Sequence, residues 1–215
     1  MAMGAAFVGC GDSSSDETTA APTTTNITTV VTNITVVTNI TVVNTTTVTV
    51  TAVDAESGSV WQNGTVYTDV AAVGDSAGTD LGIRGFVSFN IEAIPPTSHI
   101  VSASLDLDHY VINPGELDPF AAPNPLGQFR VFAQHYGALE AGDYDAATDS
   151  MLYDDAAGGA ALGAIDVTGA LSAALGDAFA RFQVRLQFAT QSNGDGLAQL
   201  ARFDDTIVRI TVVYQ

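Results

Sequence analysis

Clustered carboxylates carry the most chemistry in this chain. They fall at Asp106/Asp108, Asp143/Asp145/Asp149, Asp154/Asp155, Asn193/Asp195 and Asp204/Asp205. Calcium takes about six to eight oxygens, commonly from Asp side chains and carbonyls in glycine-containing loops. Asp143, Asp145, Asp149, Asn193 and Asp195 could supply them, so calcium is the candidate ion. The first run lacks the glycine and final Glu of an EF-hand loop, and each cluster alone also reads as a solvated acidic surface. Paired carboxylates also serve glycosidases, but here they fall on loops and strand faces with no raised-pKa environment marked by the sequence. Of the three histidines, His109 shares the inward phase of Leu105 and Leu107, and His135 that of Val131 and Ala133. Both read as core or rim residues, and spacing gives a zinc site from His109, His135 and an Asp no support. Sugar binding uses an aromatic platform beside polar groups. Trp61, Tyr67, Tyr110, Tyr136, Tyr144 and Tyr153 qualify, and all suit core packing equally well. The candidate ligand-binding set is Trp61, Tyr110 and Asp108, since Tyr110 lies opposite in phase to Leu107 and beside Asp108.

Gly74-Asp75-Ser76-Ala77 resembles the nucleophile block of GDSL-type hydrolases, which take their base from a later Asp-x-x-His. That family carries it near the C-terminus, whereas here the last histidine is His135 and no Asp-x-x-His follows it. A serine nucleophile needs a base within hydrogen-bond reach, so the block reads as a turn and the chain as a non-enzyme.

The 215 residues carry 24 acids against 6 arginines and no lysine, for a net charge of −18. Phosphate backbones require clustered cations, and these arginines are scattered. Nucleic acid is therefore excluded as a partner, and an anionic lipid surface is disfavoured for the same reason. One cysteine, Cys10, rules out an internal disulfide. Phe7-Val8-Gly9-Cys10, followed by a Ser/Asp tether, resembles a bacterial lipobox, so residues 1–17 read as a lipoprotein signal and tether. It departs from the pattern in having Phe7 where Leu is usual and no basic residue ahead of a short apolar stretch. The resemblance implies lipidation at Cys10 and an exported protein, lipid-anchored at the outer membrane or cell surface. No stretch reaches the roughly 18 apolar residues of a spanning helix.

Residues 18–53 form a different zone. Sixteen of the 34 residues from Thr18 to Thr51 are threonine, and none is charged. Asn-Ile-Thr-Val-Val recurs at Asn33 and Asn39, after Asn-Ile-Thr-Thr-Val-Val at Asn26. Thr, Val and Ile suit a pleated strand, and a six-residue spacing keeps Ile34, Val36, Ile40 and Val42 on one face. The segment reads as a stalk, as a strand of its own sheet, or as a donor strand exchanged between subunits. An uncharged, β-prone segment is an aggregation hazard when unpaired.

Residues 54–215 read as one compact domain. Val101, Ala103, Leu105 and Leu107 alternate with Ser and Asp; Phe182, Val184, Leu186 and Phe188 alternate with Arg and Gln. Val208, Ile210, Val212 and Tyr214 repeat the pattern. Period-two alternation marks strands with one wet face. Further strands are predicted near Thr65–Val73, Gly85–Ile91 and Gln128–His135. Val167, Leu171, Ala174 and Leu175 predict one short helix, capped by Asp166 or Thr168 and stopped at Gly176. The expected fold is all-β: an antiparallel β-sandwich or jelly roll with one short helix, preceded by an extended Thr-rich, β-prone segment.

Arg84-Gly85-Phe86-Val87-Ser88-Phe89-Asn90-Ile91, then Ile94-Pro95, then Ile100 to Leu107 resembles the central signature of DNRLRE-type domains. Ile165-Asp166-Val167-Thr168 is similar to the same family's later segment. The resemblance covers roughly residues 48–215 and implies a jelly-roll sandwich related to carbohydrate-binding modules on secreted and surface proteins. Together these readings predict a non-catalytic lipoprotein module for adhesion or for binding a glycan or cell-envelope polymer. The alternative is a structural or fibre-forming surface protein that self-associates through an exchanged 26–53 strand.

Overall fold

A computed structural model describes residues 44–68, 70–155, 161–204 and 206–215. Cys10 and the repeats before residue 44 lie outside the described residues. Among the described residues, thirteen strands form two antiparallel sheets that pack as a sandwich. The smaller sheet is ordered β1 (Thr46–Thr51), β13 (Arg209–Tyr214), β6 (Ile100–Asp106), β10 (Ile165–Asp166). The larger runs β7 (Tyr110–Val111), β12 (Gln199–Asp204), β4 (Val70–Asp75), β5 (Gly82–Asn90), β11 (Arg181–Phe188), β8 (Phe129–Ala133), β9 (Ser150–Asp154). β2 (Gly58–Trp61) joins it through β5 and carries β3 (Val66–Thr68). The sandwich confirms the fold class.

The core lies between the sheets, where Phe89, Leu105, Phe129, Leu186, Phe203 and Ile210 are fully buried. β13 follows the predicted alternation, with Ile210 and Val212 inside and Arg209 and Thr211 outside. β1 takes in the end of the threonine repeat, with Val48 opposite Val212 and Val50 opposite Ile210, so both valines lean on the core. The sandwich thus begins inside the repeat rather than at Asp54.

β6 departs from the predicted phase at its start. Tyr214 pairs with Ile100 and Val213 with Ser102, which leaves Val101 as the extra residue of a bulge. Ile100 turns inward and Val101 is 47% exposed, while Ala103 and Leu105 keep the inward phase. β6 and β8 both end before their histidines, so His109 and His135 are exposed rather than inward.

The single α-helix among the described residues, α1 (Thr168–Gly176), buries Leu171, Ala174 and Leu175 as predicted. Asp166 accepts the Thr168 N–H at 2.9 Å, and the Thr168 hydroxyl accepts the Ala103 N–H at 2.9 Å, tying the helix start to β6. The left-handed residue after the helix is Ala178 (φ 57°), not Gly176, and the Asp177 amide closes the last turn on the Ala173 carbonyl.

β11 corrects a larger expectation. Its inward residues, Phe182, Val184, Leu186 and Phe188, are buried as predicted. Its polar phase is not wet, because Gln183 and Arg185 are buried too. Tyr136, Gly137, Leu139 and Tyr144 lie over the outer face of the sheet, where Tyr136 and Leu139 pack with Val60, Phe86 and Tyr144 in a second cluster.

The bulge sets a direct contrast. Leu105→Ala is expected to cost about 2–5 kcal/mol in chemical denaturation, and Val101→Ala less than about 0.5. Comparable losses would contradict the bulge.

Candidate functional site

A cavity of about 230 Å³ opens between α1, β11 and the β8–β9 hairpin. Ala170, Ala173 and Ala174 line one side because their side chains are too short to fill it. His135 and Asp149, from the ends of the β8–β9 hairpin, line the other. Phe179, from the link into β11, and Arg181, the first residue of β11, complete the rim. The His135 imidazole stacks on the Phe179 ring with centres 4.1 Å apart and planes 5° from parallel. Phe179 is 37% exposed, so an aromatic pair borders the opening.

Hydrogen bonds fix this wall. Asp149 accepts the His135 N–H at 3.2 Å, and the Asp149 N–H donates to the Ala133 carbonyl at 2.9 Å. The next two residues are held by the buried Gln183 amide, whose Oε1 accepts the N–H groups of Tyr136 (3.0 Å) and Gly137 (2.9 Å). Arg181 is anchored by Glu56, whose two carboxylate oxygens share its Nε–H at 3.0 and 2.8 Å. Glu56 also accepts the Ser88 hydroxyl at 2.7 Å. The Arg181 hydrogen bond holds the Glu56 carboxyl below its ordinary 4.5, with burial opposing. Burial, first, and the Glu56 charge, second, push the Tyr136 phenol well up.

Ser150 also lines the cavity, but among the described residues no hydrogen bond joins its hydroxyl to His135. A nucleophile needs that contact. What the site offers is an aromatic pair, a carboxylate, a guanidinium and an alanine floor, which together suit holding a polar ring-shaped group. The volume is below the roughly 300–1,000 Å³ of drug-sized pockets, a scale for one ring or side group of a polymer.

The residues singled out from sequence are dispersed. Trp61 packs on the outer face with Ala72, Ile83 and Leu200 and sits 5.5 Å from the Tyr67 ring. Tyr110 packs into the inner core, 4.7 Å from Phe120, with its hydroxyl 3.4 Å from Asp118. The two therefore face opposite sides of the larger sheet and form no common platform. Asp108 is exposed beyond the end of β6.

The five metal candidates are engaged in local contacts and do not converge on one point. Asp143 accepts the Glu140 N–H at 2.6 Å, and Asp145 lies 3.5 Å from Arg84. Asp149 holds His135, as described. Asn193 donates to Asp195 at 2.9 Å, and Asp195 also accepts from Leu197 N–H and Gln199 Nε2, both at 2.8 Å. Among the described residues no three His, Cys, Asp or Glu side chains gather to hold a metal ion.

Ser76 sits in the β4–β5 turn, with its hydroxyl 2.8 Å from that of Thr79 and accepting the Leu81 N–H at 3.0 Å. Asp75 is buried and accepts the Gln199 N–H at 3.1 Å. Gly74 before it has φ 138°, and a Cβ there would collide with the Gln199 carbonyl. The Gly-Asp-Ser block is thus a turn that seats β12.

The structure joins His135 to Asp149, which stand apart in the sequence, and adds Phe179 and Gln183 to them. An aromatic residue within the short link between helix and strand was the available signal for Phe179. No family model and no curated protein matches the chain.

Because the folded Glu56 pKa is depressed, its contribution is full above 4.5 and fades as pH falls through the folded value. Glu56→Gln is expected to cost roughly 1 kcal/mol at pH 7. Denaturation midpoints against pH should show the difference closing in acid. A constant difference would contradict the ion pair.

Proposed function

We propose that this chain is a non-catalytic surface module that holds a ring of a glycan or cell-envelope polymer in the cavity beside α1. The observation that carries the reading is the exposed Phe179–His135 pair at the rim of a small cavity flanked by Asp149 and Arg181. Aromatic rings with a few placed polar groups are what fix a ligand of that kind. The lipobox-like Cys10 and the resemblance to DNRLRE-type domains support an exported, lipid-anchored location and the same class of role. The segment quoted for that resemblance spans β5, the Ile91–Ile94 turn and β6, so it crosses from one sheet to the other. Its apolar residues Phe89, Ile91, Ile94 and Leu105 are buried, which makes the signature a folding element and leaves ligand choice to the rim.

Isothermal titration of the full chain with soluble cell-wall and plant oligosaccharides tests the proposal. Retention of at least one polymer is expected, weakened about tenfold or more by Phe179→Ala with the fold intact. No binding, or binding indifferent to Phe179, overturns it.

A second reading rests on β1. Among the described residues its one hydrogen-bonded strand neighbour is β13, and it carries no charge. Such an edge can template pairing with another chain. Concentration-dependent sedimentation abolished by Thr49→Lys supports assembly through this edge; a monomer at every concentration contradicts it.

A further inference from the structure

Arg185 occupies an unusual place on the outer face of β11. It is 6% exposed, and arginine is almost never so buried unless paired. Four of the six arginines have a carboxylate partner at hydrogen-bond distance: Arg130 with Asp154, Arg181 with Glu56, Arg202 with Glu116, and Arg209 with Asp106. Arg185 has none among the described residues. Its Nη1 donates to the Ala146 carbonyl at 2.8 Å, its guanidinium lies 5.5 Å from the Phe132 ring centre, and its Nε–H has no acceptor among the described residues.

A second cation stands beside it. The Arg84 guanidinium covers the Tyr144 ring at 4.1 Å, and its carboxylate neighbour, Asp145, is 3.5 Å away with a side chain 86% exposed. Tyr144 is 3% exposed, and among the described residues its hydroxyl also lacks a partner. These groups feel one another: burial first, then the Arg84 charge, lowers the Arg185 pKa to about 10, while Asp145 and Tyr144 oppose the shift. Two cations drawn together in a chain of net charge −18 with only 6 cations work against their own repulsion. Two buried donors without acceptors add the desolvation of each group. One acceptor with negative charge answers both costs, and Arg readily engages carboxylate and phosphate.

We propose that Arg84, Tyr144 and Arg185 form a binding site for a small oxyanion, a carboxylate or phosphate group, which accepts from the Arg185 Nε–H and the Tyr144 O–H and faces the Arg84 guanidinium. Asp145 sits on the solvent side as a competing charge. None of these residues lines the cavity beside α1, so the site stands or falls independently of the glycan reading.

The test is calorimetry and thermal unfolding of the full chain with sodium phosphate, acetate and glucuronate, against sodium chloride at equal ionic strength. Saturable binding is expected, with a melting temperature that rises with ligand concentration as mass action requires. Phosphate binding alone assigns a phosphoryl group; acetate and glucuronate binding assigns a carboxylate. Tyr144→Phe should weaken binding at least tenfold and leave the unliganded melting temperature unchanged, because its hydroxyl has no partner to lose. Arg84→Gln should weaken binding similarly, and Asp145→Asn should strengthen it. If Arg84→Gln fails to fold, wild type, Tyr144→Phe and Asp145→Asn decide the matter. Equal shifts with every salt, or Tyr144→Phe binding as tightly as wild type, overturns the site.

Discussion

The side-chain amide of Gln183 is the contact on which the outer half of the molecule depends. Its Oε1 accepts two backbone N–H groups, from Tyr136 and Gly137. Its Nε2 donates to the Gly137 carbonyl at 2.9 Å and to the Ser88 hydroxyl at 3.3 Å. Every hydrogen-bonding site of the amide is occupied. A buried amide left unpaired is expensive, so this arrangement admits few alternatives. It turns the chain after β8 back across the sheet, where Tyr136 meets Phe86 edge-on with centres 5.4 Å apart and its hydroxyl donates to the Glu56 carbonyl at 3.0 Å. From there Glu56 reaches Ser88 and Arg181, and the rim of the cavity is set.

The same strand serves the core from its other face. Phe182, Val184, Leu186 and Phe188 meet the smaller sheet's residues in one continuous cluster. β11 is therefore buried twice, by apolar packing inside and by a polar layer outside. The helix before it packs against β6 and β11 and leaves the alanine-lined gap that becomes the cavity. Site and fold thus share one strand.

Much of the sandwich was legible in the sequence because alternation reports burial wherever one face is wet. Val208, Ile210 and Val212 show this, and Leu171, Ala174 and Leu175 show it at helical spacing. Val101 was misread because a bulge changes phase without changing residue type. Gln183 and Arg185 were misread as solvated because their cover comes from a segment some forty residues earlier in the chain. Period-two patterning cannot distinguish water from a polar layer. The histidines failed for a simpler reason: the strands stop before reaching them. Trp61 and Tyr110 failed as a pair because sequence distance says nothing about which side of a sheet two strands present.

The cavity's composition is modest, and its significance lies in how firmly its polar wall is held. That firmness traces to Gln183. Backbone amide hydrogen exchange in the wild type and in Gln183→Ala tests it most directly. The account predicts that the Tyr136 and Gly137 amides are protected in the wild type and lose protection selectively in the variant, while Val184 and Leu186 keep theirs. Free exchange at Tyr136 and Gly137 in the wild type, or protection unchanged by the substitution, would contradict it.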